Sequence, residues 1–400
     1  MNMQSNVFTA FAQRRQLGEL LEFRSDIVHP KDNPKGEAVF VGLEHIERDT
    51  GIRTGSVHTE LSEMTGRRAR FCSGDIVYGY LRPYLNKVWI AEFDGICSVD
   101  QYVFTVKPDF DRNYVAHFLR SNEFLKTAPI DSAPGQLPRI RSGEIAATPI
   151  PLPPLDEQRR IAAILDKADA LRRKRKCALD LLDGLTQSIF TDRFGVVDDL
   201  AGRDDLVTFG ELVDDGRIGL VRSADELSTE PGLTPYVRMD AISLDGRLSL
   251  SPIRYTRTSA SEQSIYELAP DDFLFNTRNS KELVGKIAVF DGPDGYVYNN
   301  NILRIRFTSR AIPHYVQAFF QTRAGKNELE VRKAGTTSVF AIYQKALYGI
   351  PVAVPPVSEQ QAFAEQIRKI GQYRKTQEQH HIAADLMFAS LQHRAFSGQL

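Results

Sequence analysis

Two clusters of arginine, lysine, asparagine, threonine and tyrosine carry the residue types that bind nucleic acid. In the first half of the 400-residue chain they are Arg67, Arg68 and Arg70, then Tyr80, Arg82, Tyr84, Asn86 and Lys87, with Arg139 after a Pro-Gly turn. In the second half they are Asn276, Thr277, Arg278, Asn279 and Lys281, followed by Thr336, Thr337, Ser338 and Lys345. Arginine and lysine suit guanine edges and phosphates, and asparagine suits adenine. The plain alternative for any one of them is a polar surface loop. Their recurrence at matching places in the two halves favours recognition.

Patterns for catalysis are missing. There is no Asn/Asp-Pro-Pro-aromatic motif of an adenine methyltransferase, and no glycine-rich loop for a dinucleotide or ATP. Asp271 and Asp272 with Lys281 and Glu282 come nearest to a nuclease cluster, at the wrong spacing. His380 and His381 read as a polar patch. Cys72, Cys97 and Cys177 lie too far apart for a zinc site, and their odd number fits a reducing cytoplasm. The reading is therefore of no catalytic residue, no metal and no cofactor in this chain. A net charge of −1 argues against a purely charge-driven binder. No run approaches about 18 apolar residues, so no membrane span is expected. The N-terminus lacks the basic-then-apolar pattern of a secretory signal. A cytoplasmic protein is expected.

The elements that would position these residues occur twice, at an offset of about 200 residues. Leu17-Gly18-Glu19-Leu20 is echoed by Phe209-Gly210-Glu211-Leu212. The apolar run from Phe40 to Ile46 is echoed by Tyr236 to Ile242. Asp75-Ile76-Val77-Tyr78 corresponds to Asp272-Phe273-Leu274-Phe275. The strand-like run from Val88 to Gly95 corresponds to that from Gly285 to Gly292, and the helical pattern from Tyr114 to that from Tyr315. The clearest pair is Ile150-Pro151-Leu152-Pro153-Pro154-Leu155-Asp156-Glu157-Gln158 and Ile350-Pro351-Val352-Ala353-Val354-Pro355-Pro356-Val357-Ser358-Glu359-Gln360. Their common order along the chain indicates a duplicated unit.

Each Pro-Pro pair opens a long helical pattern, since proline suits the first turn of a helix and not its interior. In the first, Ile161, Ala168, Leu182 and Ile189 form one heptad row, and Ile164, Leu171, Ala178 and Leu185 the next. That helix would be roughly 50 Å long. The second carries Phe363, Ile367, Ile370, Tyr373, Met387, Phe388 and Leu391 on its apolar side. The expected fold is α+β: two similar recognition domains with mixed sheets, separated by two long helices in an antiparallel coiled coil. The expected boundaries are 1–154, 155–196, 197–356 and 357–400. The alternative is that each helix packs only on its own domain.

Two variable units, each followed by an Ile-Pro-x-Pro-Pro-type entry into a long helix, resemble the specificity (S) subunits of type I restriction–modification systems. The resemblance covers essentially the whole chain, including Arg159, Arg160, Ile161 and the ending from Leu391 to Leu400. It implies two target recognition domains, each reading one half of a bipartite site in double-stranded DNA. It implies helices that act as a ruler and dock two methyltransferase (M) subunits. S-adenosylmethionine, ATP and Mg would then belong to partner subunits, with restriction (R) subunits joining through the M subunits. The chain itself would be non-catalytic. A second expectation is an S-like scaffold or antagonist that occupies the M subunit without reading DNA.

Overall fold

Continuous apolar runs such as Ile76-Val77-Tyr78 do not alternate, and that pattern marks a strand covered on both faces. The computed structural model describes residues 14–131, 136–198, 200, 202–335 and 338–400. The chain divides into two compact units: Met1–Cys177 with Glu378–Leu400, and Ala178–Gln377. The fold is α+β in each.

The first unit has a four-stranded antiparallel sheet of β1 (Leu21–Phe23), β2 (Ile76–Gly79), β3 (Val88–Ile90) and β4 (Gln101–Val106), in the order β1-β4-β2-β3. One face, with Ile76, Tyr78, Val88 and Phe104, packs on helices. The other, with Val77, Trp89 and Val103, packs on Val41, Phe71 and Cys97 of a second, five-stranded sheet. Burial on both sides explains why every residue of β2 is buried. In the five-stranded sheet Glu37–Val41 and Gly95–Ser98 run parallel.

The second unit repeats this plan. Strands β5 (Val213–Ile218), β6 (Phe273–Asn276), β7 (Ile287–Val289) and β8 (Ile302–Phe307) lie in the order β5-β8-β6-β7. Phe273, Phe275 and Leu303 face helices, while Leu274, Ala288 and Ile302 face a second sheet. That second sheet has three strands, and again a parallel pair, Thr234–Val237 with Val297–Tyr298.

Four helices carry or brace the functional surfaces: α1 (Arg112–Leu119), α2 (Leu155–Phe194), α3 (Pro313–Gln321) and α4 (Val357–Ser397). The Asp111 carboxylate caps α1 by accepting the Tyr114 N–H at 2.8 Å. Within the first unit, residues 155–177 of α2 run antiparallel to the end of α4. Arg160 donates to the Leu400 carbonyl, and the Arg172 guanidinium lies 4.4 Å over Phe388. Within the second unit, Phe190 and Phe194 meet Phe363 at 5.7 and 5.6 Å, again antiparallel given the Arg374–Asp183 ion pair.

The heptad seam needs a correction. Ile161, Leu165, Ala168 and Leu179 are buried, and Ile164 is half-buried. Leu171 and Leu185, expected in the seam, are 40% and 37% exposed. The second row is displaced by one residue, to Leu165, Arg172 and Leu179. Arg172 fills the row because its charge is met by Asp169 at 2.8 Å and Asp385 at 3.9 Å while its flat face covers Phe388. Leu182 and Ile189 are half-buried. On α4, Phe363 and Phe388 are buried, Ile367, Ile370 and Leu391 are half-buried, and Tyr373 and Met387 are exposed.

Candidate nucleic-acid interface

In the first unit the chain leaves β2 into a tight turn. Arg82 and Asn86 both take the left-handed conformation, with φ of 51° and 50°, on either side of a 3-10 turn at Pro83–Leu85. The turn is held by backbone bonds from Leu85 to Arg82 and from Asn86 to Pro83. A second loop lies along it. The Arg82 N–H donates to Pro138 O at 2.7 Å and the Ile140 N–H to Tyr80 O at 3.2 Å. The two predicted clusters, 80–87 and Arg139, thus form one surface.

Within that surface the side chains separate by role. Arg82 and Tyr84 are exposed, Tyr84 by 51%, and Arg82 makes no ion pair among the described residues. Tyr80 stacks on Tyr102 with ring centres 4.4 Å apart, and burial followed by nearby Asp100 raises its phenol pKa. Asn86 and Lys87 turn inward, contrary to the reading role expected of them. Asn86 donates to the Arg120 carbonyl at 2.8 Å, and Lys87 Nζ to the Leu43 carbonyl at 2.6 Å. Asn86 takes the left-handed conformation that asparagine tolerates, and the Leu43 carbonyl that Lys87 meets opens a 3-10 turn just past a strand. Arg67, Arg68 and Arg70 sit elsewhere, on or beside the Arg68–Phe71 strand of the five-stranded sheet. Arg68 covers the Phe40 ring at 4.9 Å, and Arg70 lies 3.8 Å from Asp26.

The second unit builds its counterpart with strands. Arg278–Asn279 pairs with Phe340–Ala341, which pairs with Ala334–Gly335. The Ile342 N–H donates to Thr277 O at 3.0 Å, and Lys333 Nζ to Lys281 O at 2.7 Å. Arg278, Lys281, Ser338 and Lys345 are exposed. Asn276 is fully buried, which corrects its expected reading role. Its Nδ2 donates to the carbonyls of Arg278 and Asn301, both at 3.1 Å, and its Oδ1 accepts from Asn279 at 3.0 Å. The Thr277 hydroxyl also donates to Asn301 O. These three residues shape the loop from within, because a buried amide must spend its donors on backbone acceptors. Thr336 and Thr337 lie outside the described residues.

Lys87 has a counterpart in position. Lys286 Nζ donates to the Met239 carbonyl at 2.7 Å and to that of Ile242, and burial lowers its pKa. Cys97 is buried, which pushes its thiol pKa up to about 12 and leaves it unreactive. Among the described residues no three His, Cys, Asp or Glu side chains gather as metal ligands, and no helix is long and apolar enough to cross a membrane.

The Pro-Pro motifs prove to be anchors, a role that residue types alone did not disclose. Gln158 and Gln360 each bind the start of a neighbouring helix. Tyr114 and Tyr315 donate to the carbonyls of Pro151 and Ala353, both at 2.7 Å. Recurrence of glutamine at the end of both motifs was the available signal. A polar cluster around the buried His117 was also missed: His117 Nε2 lies 2.7 Å from Asp166, which also accepts from Asn113 at 3.0 Å.

The chain is thus a tandem of two similar α+β units, each presenting one composite loop surface and each anchored to a long helix. Residues 13–179 match the family model described as type I restriction modification DNA specificity domain. The chain is similar to the specificity subunit of the type I restriction enzyme EcoDI of Escherichia coli, 32% identical over 180 residues, 44% of this chain and 40% of that protein. It is 23% identical over 297 residues to the EcoKI specificity subunit of Escherichia coli strain K12, 70% of this chain and 63% of that protein. The matches thus span less than two thirds of either relative. In fold, the chain resembles the S subunit of a type I restriction-modification system from M. genitalium, with a TM-score of 0.59, 12% identity and 96% of each chain covered. A chain from a structure of type I R-M complex assembly and conformational transition gives a TM-score of 0.56 at 19% identity, covering 97% of this chain and 98% of that one. Over residues 13–179 in sequence, and over nearly the whole chain in fold, the protein is thus similar to type I restriction–modification specificity subunits.

Proposed function

We propose that this chain supplies the DNA address for a type I restriction–modification complex. Each unit reads one half of a bipartite site. The first does so through Arg82, Tyr84 and Arg139, and the second through Arg278, Lys281, Ser338 and Lys345, with Thr336 and Thr337 beside them in sequence. Arg67, Arg68 and Arg70 add phosphate contacts. The long helices α2 and α4 set the gap between half-sites and dock two methyltransferase subunits. Those subunits hold S-adenosylmethionine and methylate adenine, and restriction subunits that use ATP and Mg join through them. The chain performs no chemistry of its own.

The observation that carries this reading is the composite loop surface built twice on one scaffold. The strands and anchors are shared, while the exposed side chains at the tips differ, as two different half-sites require.

The test is adenine methylation mapping by single-molecule sequencing. The chain is co-expressed with its methyltransferase subunit in a host lacking other methylases. A split motif with a fixed gap, methylated only when this chain is present, is the expected result. A complex that forms without any methylated motif would replace this reading with that of an antagonist or scaffold.

A further inference from the structure

The two junctions between a globular domain and its long helix share their backbone bonds and differ in charge. The shared bonds fix which positions correspond. Tyr114 matches Tyr315, and Gln158 matches Gln360. By the same register His117 matches Ala318, Asn113 matches His314, and Asp166 on α2 matches Arg368 on α4. Gly74 matches Asp271. Both have positive φ, 94° and 68°, and each precedes a buried aspartate that accepts the N–H three residues back.

At the first junction the acid is on the long helix. Asp166 accepts from Asn113 and meets His117, whose side chain is fully buried. The half-buried Arg120 guanidinium lies next to His117 at 3.3 Å and draws electrostatic support from Asp169 and Asp166. At the second junction the base is on the long helix. Arg368 donates to both oxygens of Asp271, at 3.1 and 3.0 Å, and His314 stands 3.6 Å from the same carboxylate.

We propose that residues 166 and 368 act as charge keys, so that each globular domain fits only its own long helix. Cross-matching shows the consequence. The first domain on α4 would set Arg368 against His117 and Arg120, with no carboxylate at Gly74. It would also meet Gly371 where Asp169 now stands. The second domain on α2 would set Asp166 against Asp271, with His314 alone to separate them. The bonds of Gln158, Gln360, Tyr114 and Tyr315 go to backbone atoms and would survive the exchange, while the exposed pairs Lys176–Glu47 and Lys375–Asp291 lie further along the helices. Discrimination therefore comes from repulsion in the wrong pair rather than from extra attraction in the right one. Asp166, Arg368 and Asp271 are all about half exposed, so each correct pair by itself contributes little.

The test imports the second key into the first junction of the full chain. Asp166→Arg alone is compared with Gly74→Asp, His117→Ala and Asp166→Arg together, by thermal melting. An added Cβ at Gly74 would meet only the tip of the Arg112 side chain, which can swing away, and the strain that a φ of 94° imposes is measured separately with Gly74→Asp alone. The single variant should melt several degrees below the parent, and the triple variant should recover most of that loss. The mirror set is Arg368→Asp alone against Asp271→Gly, Ala318→His and Arg368→Asp together. It gives the same reading if the first set does not fold. Triple variants that melt no higher than the single ones, or single variants that melt with the parent, would overturn the proposal.

Discussion

Gln158 and Gln360 make the same two bonds, each in its own unit. Their Oε1 atoms accept the N–H of Asp111 or Ile312 at 2.9 Å, and their Nε2 atoms donate to the carbonyl of Pro153 or Pro355 at 2.8 Å. Both side chains are buried. Each bridges the first turn of a long helix to the first turn of the helix beside it, so the entry motif fixes where α2 and α4 begin. Gln158→Ala or Gln360→Ala leaves a buried N–H unpaired and should cost about 1–3 kcal/mol. Each should lower the melting temperature of its own unit by roughly 2–4 °C per kcal/mol. Calorimetry of the single and double variants checks this: additive losses are expected, and an unchanged melt would remove the anchor role.

Arg82→Ala should reduce discrimination at one half-site only, and Arg278→Ala at the other. A bidentate arginine–guanine contact is worth about 1–3 kcal/mol, or roughly 5- to 150-fold in affinity. Binding to duplexes with one half-site scrambled separates the two effects. Equal losses at both half-sites would reduce these arginines to phosphate contacts.

Stability should fall as pH drops below 6.5. Burial holds His117 below that ordinary value, although Asp166 pulls the other way. Burial also lowers His314. The unfolded chain therefore takes up protons before the native chain does. The contribution is complete above pH 6.5 and is lost as pH falls toward the folded pKa. Melts at about pH 7.5 and about pH 5.5 should differ, and His117→Gln should narrow that difference. A difference that the substitution leaves unchanged would assign the effect elsewhere.

Lengthening α2 and α4 by one turn adds about 5.4 Å, roughly one or two base pairs of DNA. The preferred gap between methylated half-sites should widen accordingly. Methylation mapping of the altered chain gives the answer directly, and an unchanged gap would sink the ruler.

The repeat was legible because it rests on apolar runs and prolines, which act through local geometry. Ile76-Val77-Tyr78 and Phe273-Leu274-Phe275 read as buried strands from composition alone. The seam of α2 was read one residue off because Arg172, a charged residue, fills a core row over Phe388 while Leu171 turns outward. No apolar periodicity reports a charge that finds its partners on another helix. Lys87, Asn86 and Asn276 looked like base readers because their chemistry is the same whether the acceptor is a base or a carbonyl group of the chain. Only the fold tells which acceptor is nearer. Asp166 and Arg368 escaped notice because each is an ordinary helix residue until the two junctions are compared.

Three of the bonds that join the loops, Arg82 N–H to Pro138 O, Ile140 N–H to Tyr80 O and Ile342 N–H to Thr277 O, involve only main-chain atoms. A main-chain clamp is indifferent to which side chains it carries. Residues at the tip can therefore mutate freely without loosening the platform beneath them. On the proposed function, the half-sites that are read can change one substitution at a time while the clamp that holds the loops stays as it is.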